Sequence, residues 1–455
     1  MEKWLGAALD YVPQWLSYMM RVTDRPGCTV AIAHHGKLVF EDAYGFADAA
    51  KGINLTARHR FRVASHSKSF TAAGILKLRE QGKLGLDDPV GRYVKGLHPA
   101  VARATISQVL SHAAGIIRDG RDSGQWQDRR AFLNADELRA ALAEKPVIEA
   151  NTRFKYSNHG YGLIGFVIEA VTGEPYTRWI AREIVAPAGL EETEPDMPAR
   201  KRLPFARGHS SKVLLGHRVV IPGENPTNAL AAATGFVSTA RDLALFYAQL
   251  DPAAKKSVLS VASRREMLRR QWRCPHSESE RWYGLGTMTA RTGDWEWVGH
   301  GGGFQGYITR TSLVPSRGLS ISVLTNSADG LAPQLGDGII HILRTFAQHG
   351  APTAKTRSWT GRWWWSVWGA ADLVPMGDKV LFASPGLFNP FMEASELTIL
   401  GRDRARIAVA NGYANHGEDV RRVRKNGRVT ELWIAGTKVV SERQAAAELK
   451  RRYRA

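Results

Sequence analysis

The sequence predicts a mixed α/β (α+β) protein: an antiparallel sheet flanked by helices, a mostly helical subdomain, and a small C-terminal β domain. Three observations carry that expectation. Apolar residues recur at helical spacing through most of residues 120–250, and the period shortens to two from Trp282. Composition then changes beyond Gly350-Ala351-Pro352-Thr353, after which six of the 14 tryptophans lie, three of them consecutive at Trp363-Trp364-Trp365. At 455 residues the chain should divide into two or three domains. The expected division is a domain over 1–350, with its helical subdomain at about 85–240, and a β-sheet or barrel domain over 358–455.

Residues 1–24 read as an amphipathic helix, with Trp4, Leu5, Ala8, Leu9, Val12, Trp15, Leu16 and Met19 on one face. Cys28 to Phe46 reads as a hairpin turning at His34-His35-Gly36-Lys37. An extended run then ends at Ser65, where a helical pattern through Ala72, Ala73, Leu76 and Leu78 begins and is closed by Gly82. Thr105 caps a short helix that runs into Ser111-His112-Ala113-Ala114-Gly115, and a helix from Tyr161 to Val171 follows Phe154-Lys155-Tyr156-Ser157-Asn158. Another helix is expected at about 239–250. Strands are expected over Gly284–Ala290, Trp295–Val298, Tyr307–Val314 and Leu319–Thr325, with a helix from about Pro333 to Gln348 covering the sheet.

Composition narrows the function. A hydrophobic content of 44% and a charged content of 23% are those of a globular protein with a sizeable core. The net charge of +19 raises nucleic acid as a partner, but no zinc-finger, RNP or helix-turn-helix pattern accompanies it, so none is expected. Cys28 and Cys274 have no C-x-x-C partner and read as buried structural thiols. No apolar run approaches the roughly 18 residues a bilayer crossing needs. Met1-Glu2-Lys3-Trp4 opens no secretory signal pattern, which makes a cytoplasmic location the expectation, with a periplasmic one left open.

The chemistry centres on Ser65-x-x-Lys68, the single S-x-x-K in the chain. At a helix start the i, i+3 spacing places an amine beside the hydroxyl, where it can take the proton of an otherwise poor nucleophile. The competing reading is an N-cap serine beside a solvated lysine. Tyr156-x-Asn158 precedes a helix and His300-x-Gly302 lies in a strand. A phenol beside the Ser–Lys pair can relay a proton, and a cationic lysine would lower its pKa. The glycine-rich strand would let a substrate lie along it with backbone N–H groups at the oxyanion. Two decoys of these motifs, His34-His35-Gly36 in a turn and Tyr413-Ala414-Asn415 in the tryptophan-rich region, lack this context. A lipase-type reading of His300-Gly301-Gly302-Gly303 fails because no G-x-S-x-G follows it. A dinucleotide reading of Gly301-x-Gly303-x-x-Gly306 fails because a strand pattern, not a helix, comes next.

The segments around Ser65-Lys68, Leu110–Gly115, Phe154–Gly165, Ala233–Thr239 and Gly299–Tyr307 together resemble the serine β-lactamase and penicillin-binding-protein superfamily. More narrowly they are similar to its class C-related branch of D-aminopeptidases and esterases, over about residues 25–350. The resemblance implies a serine hydrolase with Ser65 as acylated nucleophile, Lys68 as base and Tyr156 as proton relay. It implies Asn158 on the substrate amide, the N–H groups of Ser65 and Gly303 in the oxyanion hole, and Gly302 beside them. It implies no metal and no cofactor, and a small amide, D-residue peptide or ester as substrate. Where β-lactamases and carboxypeptidases usually carry lysine, this chain has His300, as the aminopeptidase and esterase members do. A β-lactamase or D-Ala-D-Ala carboxypeptidase, or a catalytically silent sensor of the same fold, are the alternatives.

Overall fold

A computed structural model describes residues 2–198, 203–275, 280–410 and 414–453. Its contacts divide it into two compact units: Arg25–Gly336, and a second in which Met1–Asp24 joins Asp337–Ala455. Tyr413, which opens the Y-x-N decoy, lies outside the described residues.

The first unit is organised by a nine-stranded antiparallel sheet. Its strands in chain order are β1 (Gly27–His34), β2 (Lys37–Asp48), β3 (Ile53–Asn54), β4 (Trp272–Arg273), β5 (Trp282–Tyr283), β6 (Met288–Thr292), β7 (Trp295–Phe304), β8 (Tyr307–Val314) and β9 (Leu319–Thr325). Their spatial order is β3-β2-β1-β9-β8-β7-β6-β5-β4, so β1 pairs with β9 and brings residues some 290 positions apart into register, Cys28 opposite Thr325. The β1–β2 turn is made by His35 and Gly36, with φ of 48° and 75°, the two left-handed residues a tight hairpin requires.

Two strand expectations change. β6 begins at Met288 rather than Gly284, because Gly286 turns the chain at φ 71° in close approach to the Lys68 carbonyl. β7 runs on from Val298 to Phe304, so the glycine-rich motif is itself strand, paired to β8 from Val298↔Leu313 through Phe304↔Tyr307. The continuous ladder to β8 holds the motif glycines in extended conformation.

Helices pack against one another around a core that includes Phe70, Ile75, Tyr161, Ile164, Phe236 and Phe246. The helix after Ser65 spans Ser67–Glu80, and Gly82 follows it at φ 69°. The Ile106–Leu110 helix starts with a capping box between Thr105 and Gln108, and the Asn158–Thr172 helix ends at Gly173 with φ 74°. The Ala240–Leu250 helix is capped by Thr239. Between 203 and 227 short strands and turns replace the expected helix, and a 3-10 turn over Asn228–Leu230 and a π-helical turn over Ala231–Gly235 follow.

In the second unit eight strands close a barrel: β10 (Gly361–Trp365), β11 (Gly369–Met376), β12 (Lys379–Ala383), β13 (Ser395–Ile399), β14 (Arg404–Val409), β15 (Asp419–Lys425), β16 (Arg428–Ile434) and β17 (Thr437–Val440). Alternation along β10 turns Trp363 into the core beside Trp359 and Leu397, and gives Trp364 to the Lys3–Thr23 helix, 5.9 Å from the Tyr18 ring. That first helix therefore groups with the barrel. The Ala332–His349 helix spans the point where the two units divide, and a terminal helix runs over Glu442–Tyr453. No described helix is long and apolar enough to cross a membrane.

Candidate functional site

The turn that carries Ser65 is held from several sides. Phe61–Arg62 pairs with Val237–Ser238, the Val63 N–H donates to the Phe236 carbonyl at 3.0 Å, and the Phe236 N–H donates to Ser67 Oγ at 3.0 Å. Ser67 Oγ in turn donates to the Ala64 carbonyl. Between these clamps Ala64 adopts φ 48°, a left-handed conformation unusual for alanine that needs such support. A short 3-10 turn over Ala64–His66 precedes the helix, so His66 takes the N-cap position, Ser65 stands just before it, and the helix has no side-chain cap. Within residues 61–70 Ser65 is the one residue that keeps solvent access.

Lys68 is fully buried, which removes the reading of a solvated lysine. Its Nζ lies 3.1 Å from Ser65 Oγ, 2.7 Å from Asn158 Oδ1 and 2.8 Å from the Ala233 carbonyl. Burial pushes its pKa well below the ordinary lysine value; Asp119 raises it and Arg118 lowers it, both to a smaller degree. A neutral amine has two N–H groups and one lone pair. The carbonyl and the Asn158 oxygen, acceptors only, take the two donors, and the lone pair is left for Ser65.

Tyr156 O–H donates to Ser65 Oγ at 2.9 Å, and the Lys68 amine lies 4.8 Å from the centre of its ring. The expected lowering of its phenol is corrected by the structure. Desolvation is the largest influence and raises it above the ordinary phenol value, even though part of the ring remains exposed. The Ser65 hydrogen bond and Arg118 oppose that shift without overcoming it. Lys68, the expected cause of a lowered phenol, is itself shifted toward its neutral form. Tyr156 thus stays protonated at neutral pH, and Lys68 is the basic partner.

Asn158 opens its helix, with Ser157 as the N-cap. His300 on β7 is 2% exposed and lies with Nδ1 2.6 Å from the Gly301 carbonyl and Nε2 3.0 Å from Tyr283 OH. The carbonyl can only accept, which assigns the ring proton to Nδ1 and leaves Nε2 to accept from the phenol. Burial, then Lys68 and His66, holds the imidazole well below its usual pKa, so His300 is neutral. Gly302 is required by proximity: a Cβ there would sit 2.3 Å from the Val63 carbonyl oxygen and 2.4 Å from Thr309 Oγ1. Without a side chain, β7 can lie directly against the Ser65 turn. Gly303 lines a cleft of about 630 Å³ together with Arg118, Trp126, Ile221, Phe304 and Gln305. A separate depression of about 300 Å³ is walled by Phe154, Tyr156, Arg281 and Tyr283.

All seven candidate residues therefore belong to one region of the first unit. A Beta-lactamase family profile matches residues 13–343, well over half of the chain. The chain belongs to the beta-lactamase family. Protein flp of Staphylococcus aureus strain MRSA252 is 30% identical over 175 residues, 37% of this chain and 34% of that protein. Penicillin-binding protein 4* of Bacillus subtilis strain 168 is 33% identical over 168 residues, 36% of this chain and 37% of its own. The match thus spans little more than a third of each of these relatives. Among solved structures, the octameric penicillin-binding protein homologue from Pyrococcus abyssi aligns with a TM-score of 0.66 at 21% identity, over 95% of this chain and 99% of that one. A D-amino acid amidase from Ochrobactrum anthropi SV3, in complex with L-phenylalanine amide, aligns at 0.61 and 23% identity, over 74% and 97%. A D-stereospecific amidohydrolase from Streptomyces sp. aligns at 0.58 and 26%, over 70% and 94%.

Within this beta-lactamase-family unit, several contributors lie outside the motifs that mark the site in the sequence. Asp119 accepts from Asn158 Nδ2 at 2.6 Å, and Tyr283 pins His300. His112, in one of the segments that carry the family resemblance, packs its ring 4.1 Å from Tyr156 and takes the Ser157 N–H on Nδ1 at 3.1 Å. Its φ of 60° marks a strained turn. The Ser111-His112 segment is a signal for that residue; Asp119 and Tyr283 carry no motif.

Proposed function

We propose that this protein is a serine hydrolase that forms an acyl-enzyme on Ser65, acting on small amides, D-residue peptides or esters. The observation that carries the reading is the solvent-accessible Ser65 hydrogen-bonded to both a fully buried Lys68, whose pKa burial lowers, and Tyr156, whose phenol pKa burial raises. Lys68 takes the Ser65 proton as Oγ attacks the substrate carbonyl carbon. The oxyanion is held by the N–H groups of Ser65 and Gly303, supplied as fixed dipoles. Tyr156 protonates the departing amine or alcohol and is reprotonated from Lys68. Water then attacks the ester carbonyl, passing its proton through the same pair, and Ser65 leaves as the alcohol. Asn158 keeps a second amide N–H for a substrate carbonyl.

The neutral, enclosed His300 favours amide and ester substrates over penicillins, because it offers no cation to a substrate carboxylate. The D-amino acid amidase and D-stereospecific amidohydrolase among the structural neighbours support an amide of a D-residue as the first class to try.

Fluorophosphonate labelling read by intact mass tests the proposal. A single adduct on Ser65, lost in Ser65→Ala, is the expected result, together with turnover of a panel of D and L p-nitroanilides or p-nitrophenyl esters. An adduct on another residue, or a chain that neither labels nor turns over any panel member, overturns it in favour of a silent binding protein.

A further inference from the structure

The amide of Asn158 is held in one orientation from outside the Ser65–Lys68–Tyr156 set. Its Oδ1 takes the Lys68 amine at 2.7 Å while its Nδ2 donates to Asp119 Oδ1 at 2.6 Å. Asp119's other oxygen takes Arg118 Nε at 2.9 Å. The loop carrying the pair is docked on the helix it serves. The Arg118 carbonyl accepts the N–H groups of Asn158 and His159 at 2.9 and 3.2 Å, and Ser157 Oγ donates to the Ile117 carbonyl at 2.7 Å. Arg118 also lies over the Tyr156 ring, 5.4 Å from its centroid. A continuous run of contacts therefore joins Ser65, Lys68, Asn158, Asp119 and Arg118.

We propose that Asp119, clamped by Arg118, is a positioning residue that fixes the Asn158 amide so that its oxygen, and not its nitrogen, meets Lys68. An amide can rotate by half a turn with little steric change. In the alternative orientation its NH₂ would face the Lys68 N–H groups and its oxygen would face a carboxylate. Asp119 makes that alternative costly, because a carboxylate accepts and cannot donate. With Asn158 Oδ1 and the Ala233 carbonyl occupying the two N–H groups, the Lys68 lone pair has Ser65 as its partner. The inference rests on the serine-hydrolase reading above.

The same two residues set the charge seen by Lys68 in opposite senses, since Asp119 raises its pKa and Arg118 lowers it. The other groups facing Lys68 are neutral at working pH. Tyr156, half-buried on the pre-helix loop, and Tyr161, fully buried on the Asn158–Thr172 helix, have raised phenol pKa values; buried His112, beyond the Ile106–Leu110 helix, and His300, on β7, have lowered imidazole values. His66, on its own element, is lowered to about 4 by burial. Burial sets the main shift of Lys68, and Asp119 and Arg118 are then the charged pair that adjusts the pH at which it becomes basic.

The test is the pH dependence of the second-order rate of Ser65 labelling by a fluorophosphonate, in the full chain and in D119N, D119A and R118Q. Labelling requires neutral Lys68, so the rate rises with pH to a plateau. Loss of the Asp119 charge makes the protonated amine less favourable, and D119N should move the rise to lower pH. Loss of the Arg118 charge should move it in the opposite direction. D119A, which has no acceptor for Asn158, should also slow the plateau by roughly tenfold or more, the scale of a misplaced catalytic group, while D119N, whose amide oxygen can still accept, recovers part of it. Midpoints that stay fixed or shift together, or a D119A plateau equal to that of the unmodified chain, would overturn the inference. Absence of any Ser65 adduct in the unmodified chain is a different outcome and defeats the hydrolase reading instead.

Discussion

The Lys68 amine lies 2.8 Å from the carbonyl oxygen of Ala233, 165 residues further along the chain. This contact ties the Ser67–Glu80 helix to the π-helical turn at Ala231–Gly235, and it consumes one N–H of an amine that has no exposed surface. Lysine is usually a strongly hydrated cation, so complete burial among acceptors that can serve a neutral amine turns it into a base.

The pH dependence of turnover follows from that contact. Lys68 has a lowered pKa, and kcat/KM should rise with pH as the amine loses its proton, reaching its plateau below the ordinary lysine range. Tyr156 has a raised pKa, so no alkaline fall is expected until pH exceeds the usual phenol value of about 10. Lys68→Ala and Tyr156→Phe should each lower kcat by roughly 10² or more. A rate near that of the unmodified chain in either variant would place the proton transfer elsewhere.

Gly302 and Gly301 provide a matched pair. A Cβ at Gly302 would fall 2.3 Å from the Val63 carbonyl oxygen, whereas at Gly301 the nearest atom is the Thr309 oxygen at 3.4 Å. Gly302→Ala should push β7 away from the Ser65 turn, costing about 1–3 kcal/mol as overpacking does and slowing Ser65 labelling. Gly301→Ala should be much milder in both. Equal effects measured by urea unfolding and labelling would show that the close approach of the strand does not position Ser65.

Much of this site is legible in the sequence because its chemistry is local. Ser65 and Lys68 lie three residues apart where one helix starts, Tyr156 and Asn158 flank another helix start, and the glycines of β7 repeat within one strand. Asp119 is not legible: it meets Asn158 across 39 residues from a loop with no periodicity. Tyr283 reaches His300 from a two-residue strand too short to carry a pattern. The period of two reveals the sheet, yet it underestimates the length of β7, because glycines interrupt that period while β8 still pairs with them. A lowered Tyr156 pKa follows from charge proximity alone, and burial, which sequence does not display, decides the opposite direction. The grouping of the first helix with the barrel depends on pairs such as Tyr11–Asp372, 361 residues apart, and no local pattern encodes it.

Acid should destabilise the first unit through its buried imidazoles. His66 is fully buried, with its Nε2 3.0 Å from Thr311 Oγ1, and its pKa is lowered to about 4, with desolvation the main cause. In the unfolded chain the ring takes its proton near pH 6.5, while in the folded chain it resists until about pH 4. The unfolded state therefore binds more protons in that window, and stability is lost as pH falls from 6.5 toward 4. For His66 alone the loss is on the order of 3 kcal/mol at the bottom of the window. His66→Gln should flatten the Tm against pH curve between those values, whatever it costs at pH 7. An unchanged slope would mean the ring is already solvated in the folded protein.

The last prediction concerns the second unit. Arg362 grips Asp372 with two hydrogen bonds, Nε to Oδ1 at 2.7 Å and Nη2 to Oδ2 at 2.8 Å. The Tyr11 hydroxyl of the first helix donates to the same Oδ2 at 2.9 Å, and the Tyr18 ring lies 4.5 Å beneath the guanidinium. Arg362 Nη2 also reaches the Gln14 carbonyl at 3.1 Å. Asp372 is 3% exposed, so removing it leaves a partly buried cation without its carboxylate and a buried phenol without its acceptor. Asp372→Ala should therefore be destabilising, by less than the roughly 3–5 kcal/mol of a fully buried pair, since solvent and the Gln14 carbonyl still reach Arg362. Tyr11→Phe, which removes only a hydrogen bond to a charged group, should cost about 1.5–3 kcal/mol. Both losses should appear in the unfolding of the barrel tryptophans, Trp359 and Trp363 being buried in its core. A chain ending at 352 would lose the partners of Tyr11, Trp15 and Tyr18 together, exposing that helix face and promoting aggregation. Removing residues 1–24 as well should relieve it. If the shorter chain stayed soluble with the helix present, or Asp372→Ala unfolded at the same urea concentration as the unmodified protein, the first helix would not be part of the barrel unit's folded core.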